Sequence, residues 1–111
     1  MGDLHQSQCQ DNKKKYCVVV PIYNHEQYIE STIKRIFPFN LPIIIVNDGS
    51  RDECTQVLNK LQGHYESVDV LHLPKNGGKG AAVIAGLNKA YADGYKYAVQ
   101  IDADGQHDIE K

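Results

Sequence analysis

Four short apolar runs punctuate the chain: Tyr16-Cys-Val-Val-Val20, Leu41-Pro-Ile-Ile-Ile-Val46, Val68 to Leu73, and Tyr97 to Ile101. The first two, continuous and β-branched, have the pattern of strands buried on both faces, as in a parallel sheet, and the other two read as a third and a fourth strand. Pro21 is expected to break the first of them. Between the runs the apolar spacing becomes helical. Ile29, Ile33, Ile36 and Phe37 form one stripe, closed by Pro38 and Pro42. Ser50 and Glu53 have the spacing of a capping box and open a second helix, with Val57, Leu58 and Leu61 on one face and a stop at Gly63. Lys75-Asn-Gly-Gly-Lys-Gly80 reads as a flexible turn feeding a third helix. Val83, Ile84, Leu87, Ala90 and Tyr91 share its core side, and Gly94 ends it.

The order β-α-β-α-β-α-β predicts an α/β fold, a parallel sheet with right-handed crossovers and helices on both faces. Residues 1–15 are polar and aperiodic and read as a disordered tail; 16–111 read as one domain, without repeats or linkers. A chain of 111 residues, 41% of them hydrophobic, can bury one small core. The net charge of −2 carries no footprint for nucleic acid, and Lys13-Lys14-Lys15 reads as a solvated lead-in. Cys9, Cys17 and Cys54 are odd in number and lack metal-site spacing, which points to a reducing, cytoplasmic setting. No run is long enough to span a bilayer, and neither a signal peptide nor a myristoylation pattern is read at the start.

In an open α/β sheet, ligands bind beyond the carboxyl ends of the strands. The fourth run exits into Asp102-Ala-Asp-Gly-Gln-His107. Side chains two apart on extended backbone point the same way, so Asp102 and Asp104 can converge on one hard cation, Mg²⁺ or Mn²⁺. Taken alone, the pair reads equally well as an Asp/Gly turn. The segment fails as a calcium loop, because Gln106 holds the fifth position and no Glu closes it. The first run exits at Pro21-Ile-Tyr-Asn24, where Tyr23 offers a flat face to a base or else caps the core. The second exits at Asn47-Asp48-Gly49-Ser50, where Asp48 can accept a hydrogen bond from a base or ribose, in what is also a helix-entry turn. The Gly-rich segment satisfies neither a Walker A loop nor a dinucleotide fingerprint, since Gly80 follows Lys79 and the turn comes after the third run. Lys79 can approach an anion there, but helix-start flexibility is the preferred reading.

In this order and spacing, Val-Val-Pro-Ile-Tyr-Asn, Ile-Ile-Val-Asn-Asp-Gly-Ser-Arg-Asp, Asn-Gly-Gly-Lys-Gly and Asp-Ala-Asp-Gly-Gln-His resemble the family 2 glycosyltransferases of GT-A fold. The flavour is that of the polyprenol- and dolichol-phosphate sugar transferases, and the match runs from about Tyr16 to the end. The resemblance implies a Rossmann-like, nucleotide-sugar-binding half. Pro21 and Tyr23 would line the base pocket, and Asp48, with Val46 nearby, would hold the base. Asp102, Ala103 and Asp104 would meet the nucleotide sugar, with Asp102, Asp104 and Gln106 toward the metal. The implied reaction transfers sugar from a UDP- or GDP-type donor to an acceptor, a polyprenyl phosphate or a glycan, with inversion.

Two positions depart from that pattern. Asn47 stands where many members have a first carboxylate, and His25 where the polyprenol branch often has Glu. The resemblance also implies an acceptor half beyond Lys111 that supplies the catalytic base. These residues then amount to a truncated donor half, inactive alone, with exposed sheet edges through which copies could associate and with membrane association open for the longer protein. A non-catalytic nucleotide-sugar binding module shares every motif and stays open as the alternative. A sugar-1-phosphate nucleotidyltransferase would want a basic Gly-rich loop after the first run, and a receiver-type domain would want an Asp after the third; neither is present.

Overall fold

A computed structural model describes residues 15–24 and 26–102. The tail expected over 1–15, except Lys15, lies outside the described residues, as do His25 and 103–111. Strands β1 (Tyr16–Ile22), β2 (Ile43–Asn47), β3 (Val68–His72) and β4 (Tyr97–Gln100) form one parallel sheet in the order β3-β2-β1-β4. Helices α1 (Glu26–Ile36), α2 (Asp52–His64) and α3 (Lys79–Ala92) connect them, with a 3₁₀ turn at Phe37–Phe39. The first two crossovers step outward on one side of β1, and the third returns to its other side. The strand order therefore reverses between β1 and β4, where an open α/β sheet places its ligand crevice.

Alternation along the strands divides the core into two layers. Val18, Val20, Ile22, Ile43 and Ile45 pack against Ile29, Ile33, Ile36, Cys54, Leu58 and Leu61 from α1 and α2. On the opposite face Cys17, Val19, Ile44 and Val46 pack against Ala82 and Ala90 of α3. Each buried Val, Leu or Ile contributes about 1.5–3 kcal/mol, so these layers supply the main driving force.

Five expectations are corrected here. Pro21 does not break β1. Even-numbered residues of β1 bond toward β2 (Val18 N–H to Pro42 O, Asp48 N–H to Ile22 O), and odd ones bond toward β4 (Ile101 N–H to Val19 O). Pro21 therefore turns its missing N–H to the side where β4 has already ended at Gln100, and no ladder bond is lost. Phe37 is exposed, because the helix tightens into the 3₁₀ turn there and rotates the ring off the α1 stripe. Gly63 lies inside α2, which runs to His64 with Tyr65 as C-cap. The Ser50–Glu53 capping box does not form. Arg51 is the N-cap, without a side-chain cap bond, because Ser50 Oγ accepts a hydrogen bond from Asn24 N–H instead.

The fifth correction concerns α3. Its inner face is Ala82, Gly86 and Ala90, while Ile84, Leu87 and Tyr91 are exposed, Tyr91 by 84%. A Cβ on Gly86 would lie 2.5 Å from Val19 Cγ1 and 2.8 Å from Val46 Cγ2. The helix sits so close to the sheet that only small residues fit beneath it.

Below the C-terminal half of α3 three groups titrate upward together. Burial, then Asp93, raises the Cys17 thiol above its ordinary 9.0. Burial also raises the Tyr95 phenol above 10.0. Lys89 is raised above 10.5, first by its hydrogen bond to Asp69, with Asp93 adding to it. A group whose folded value is raised contributes stability below its unfolded value and loses it as pH rises through the folded one. All three shifts have that sign. Urea unfolding midpoints are therefore expected to fall once pH climbs above about 9, beginning with Cys17. In Cys17→Ala the onset of that fall moves toward the tyrosine and lysine range; an unchanged onset would remove Cys17 from the account.

Candidate functional site at the carboxyl end of the sheet

The exits of β1 and β2 are stitched together. Pro21 pairs in register with Val46, both buried, and Asp48 N–H reaches Ile22 O at 2.9 Å. Tyr23 emerges next and is 47% exposed, with its ring presented to solvent at the strand exit. Asn24 adopts φ 60°, a left-handed conformation that Asn tolerates better than most residues. That turn directs its N–H to Ser50 Oγ at 3.0 Å and its Oδ1 to Arg51 N–H at 2.7 Å. Arg51 Nη2 also faces Glu26 Oε2 at 3.4 Å, an exposed pair joining this loop to α1.

Asn47, at the position where the family pattern often has a carboxylate, is buried and fully used as an amide. Its Oδ1 accepts from Ser50 N–H at 3.0 Å. Its Nδ2 donates to Thr55 Oγ1 and to His72 Nδ1, each at 3.0 Å. With Nδ1 accepting, the His72 proton belongs on Nε2, which lies 3.1 Å from Asn59 Oδ1. A carboxylate could not donate both bonds, so Asn47 is a structural joint between β2, α2 and β3.

Asp48 is 3% exposed, and its carboxylate is occupied by the Gly-rich turn. Oδ2 accepts from Asn76 Nδ2 at 2.9 Å and from Gly78 N–H at 3.0 Å. Oδ1 accepts from Gly77 N–H at 2.9 Å, and Asn76 Nδ2 also reaches the Asp48 carbonyl at 3.1 Å. Gly49 makes this approach possible. Its φ is +71°, and a Cβ there would lie 2.4 Å from Asn76 N. Asp48 thus closes the β3–α3 turn over the end of β2 and sets a negative charge at the first turn of α3, where the helix dipole favours it. The segment read as flexible is a clamped loop, and Asn76 is a partner that local reasoning did not single out.

The clamp delivers Lys79, the first residue of α3. Its Nζ lies 2.6 Å from Oδ2 of Asp102, just past the end of β4. Oδ1 of Asp102 accepts from Gln100 Nε2 at 2.9 Å. Of the residues singled out in the sequence, Pro21, Tyr23, Val46, Asp48 and Asp102 all lie at this end of the sheet. Ala103, Asp104, Gln106 and His107 lie outside the described residues. Among the described residues no three of His, Cys, Asp and Glu gather as a metal cluster. Asp102 contributes the hard, anionic oxygen that Mg²⁺ or Mn²⁺ would require. A wide groove of about 540 Å³ opens at the other end of the sheet, between Pro42, Gln62, Glu66, Asp93 and Tyr95. It lies at the amino ends of the strands, away from the switch point.

A parallel sheet in the order β3-β2-β1-β4, with helices as its crossovers, defines a Rossmann-like α/β domain. The chain belongs to glycosyl transferase family 2, whose family model matches residues 17–111. It is 34% identical over 103 residues to a UDP-N-acetylglucosamine–dolichyl-phosphate N-acetylglucosaminyltransferase of Methanococcus voltae, covering 81% of this chain and 41% of that protein. It is 33% identical over 104 residues to a dolichyl-phosphate beta-glucosyltransferase of Trichomonas vaginalis, covering 84% and 31%. A bactoprenol glucosyl transferase of Shigella phage SfV is 33% identical over 102 residues, covering 86% and 32%. The chain therefore spans well under half the length of these relatives. Its fold matches that of a mannosyltransferase of Pyrobaculum calidifontis solved with GDP-Man and Mn2+, at a TM-score of 0.65 and 21% identity, over 81% of this chain and 27% of that one. The sheet is thus that of a GT-A glycosyltransferase. Among the described residues no helix is long and apolar enough to cross a membrane.

Proposed function

We propose that this chain forms the donor site of a metal-assisted, inverting glycosyltransferase that uses a UDP- or GDP-linked sugar. The observation that carries the reading is the Asp102 carboxylate at the exit of β4, at the switch point, with a lysine ammonium 2.6 Å away. Tyr23 stacks on the base, backed by Pro21 and Val46. Asp48 fixes the neighbouring loop through Asn76, Gly77 and Gly78, and would hold the base only with the Oδ1 lone pair that those donors leave over. Asp102 and Asp104, as an Asp-x-Asp motif with Ala103 between them and Gln106 near, would hold Mg²⁺ or Mn²⁺. Such a cation, when bound, offsets the negative charge of the departing nucleoside diphosphate. An acceptor oxygen attacks the anomeric carbon as the bond to the diphosphate breaks, so configuration inverts. The catalytic base, and with it turnover, is expected only together with an acceptor-binding half. The relatives named for dolichyl phosphate and bactoprenol support a polyprenyl phosphate acceptor, hence work at a membrane surface.

Thermal shift with UDP, GDP, CDP and dTDP, with and without Mn²⁺, tests the donor site. One nucleotide is expected to stabilise the protein only with Mn²⁺, by about 2.7 kcal/mol at a hundredfold excess over its dissociation constant. Asp104→Asn is expected to abolish the effect. A folded protein that responds to none of the four would overturn the assignment.

A further inference from the structure

We propose that Lys79 is an exchangeable counter-ion. It neutralises Asp102 while the donor site is empty and turns to the diphosphate of the nucleotide when donor and cation arrive, so that it discriminates diphosphates from monophosphates. The inference rests on the donor-site reading above and adds a residue and a selectivity to it.

Three observations carry it. First, the ammonium reaches Asp102 Oδ2 at 2.6 Å, so the carboxylate assigned to the cation already has a positive partner. Lys79 and a divalent cation therefore compete for the same oxygen. Second, the pair is easily parted. The Lys79 side chain is 58% exposed and that of Asp102 21%, and exposed pairs of this kind are worth at most about a fivefold factor in an equilibrium. Third, the lysine is not placed by chance. Its backbone follows Gly77 and Gly78, whose N–H groups are held by the buried Asp48 carboxylate. The root of the side chain is thus fixed, while its four-carbon stem leaves the ammonium free to swing between partners. A diphosphate beside Asp102 offers that ammonium more negative charge than the single carboxylate does. Asp102 then exchanges its lysine partner for the cation, and no charge is left unpaired at either step.

The test is calorimetric titration of wild type, Lys79→Met and Lys79→Arg with Mn²⁺ alone, then with UDP, UMP, GDP and GMP at saturating Mn²⁺. Lys79→Met is expected to bind Mn²⁺ alone up to about fivefold more tightly, because the competing ammonium is gone. It is expected to lose about tenfold or more in affinity for the diphosphate, in line with loss of a charge-assisted hydrogen bond, while the monophosphate stays within twofold of wild type. Lys79→Arg keeps the charge and retains most of the preference for diphosphate. Equal losses for diphosphate and monophosphate would show that Lys79 merely supports the loop, and no change in either would show that it does not meet the ligand; both overturn the inference while leaving the donor site standing. A wild type that binds neither Mn²⁺ nor any nucleotide overturns the donor-site reading, and this inference with it.

Discussion

Gly86→Val is expected to destabilise the protein by about 3 kcal/mol, at the upper end of the cost of overpacking a core. In a domain of this size that lowers the melting temperature by on the order of 10 °C. A valine Cβ would start 2.5 Å from Val19 Cγ1 and 2.8 Å from Val46 Cγ2, and neither side chain can yield. Both are fully buried and β-branched, with χ1 held by the pleat of the central strands. Gly86→Ala separates two effects. Helix propensity alone would make alanine stabilising by about 1 kcal/mol at a mid-helix position. The contact geometry reverses the sign, so a net loss is expected. Urea unfolding followed by circular dichroism, with the slope checked for two-state behaviour, decides it; a stabilised Gly86→Ala would mean that Val19 and Val46 yield to the added methyl group.

That glycine also explains which parts of the fold were legible. The two central strands were, because Val18-Val-Val20 and Ile43-Ile-Ile-Val46 bury both faces and carry their message in composition alone. The α1 and α2 stripes were legible for the same reason, since large residues line their inner faces. The face of α3 was not. Periodicity assigns large apolar residues to the core, whereas this helix turns Ala82, Gly86 and Ala90 inward and leaves Ile84, Leu87 and Tyr91 outside. Close approach to a sheet selects for small residues, and a hydrophobicity pattern weighs them least. The site divides in the same manner. The placement of Asp102 and Tyr23 at the carboxyl end of the sheet was legible because both come just past the ends of strands. The true surroundings of Asp48 were not, because its partners stand 28 to 30 residues downstream. Ser50 failed as a cap on similar grounds: Asn24, 26 residues upstream, takes its hydroxyl oxygen.

Asp48→Ala is expected to be the most costly substitution at the site, about 3 kcal/mol, because removing one buried charged acceptor strands several donors at once. Gly77 N–H, Gly78 N–H and Asn76 Nδ2 would all lose their carboxylate partner in a place where the parent residue is only 3% exposed. The negative charge at the start of α3 would go as well. Asp48→Asn retains one acceptor but turns an amide N–H₂ toward groups that themselves donate, so it recovers only part of the loss. If Asp48 served only to meet a base, Asp48→Ala would fold as well as wild type and lose nucleotide affinity alone. The clamp predicts the converse order: stability falls first, and affinity for nucleoside diphosphate falls because Lys79 is no longer held beside Asp102. A double-mutant cycle with Asn76→Ala distinguishes the two. Residues sharing a hydrogen-bond network couple by roughly 0.5–3 kcal/mol, so the double mutant should be less destabilised than the sum of the singles. Strict additivity in urea unfolding would mean that the Asp48–Asn76 bond contributes nothing, and the Gly-rich turn would then owe its shape to Gly77 and Gly78 alone.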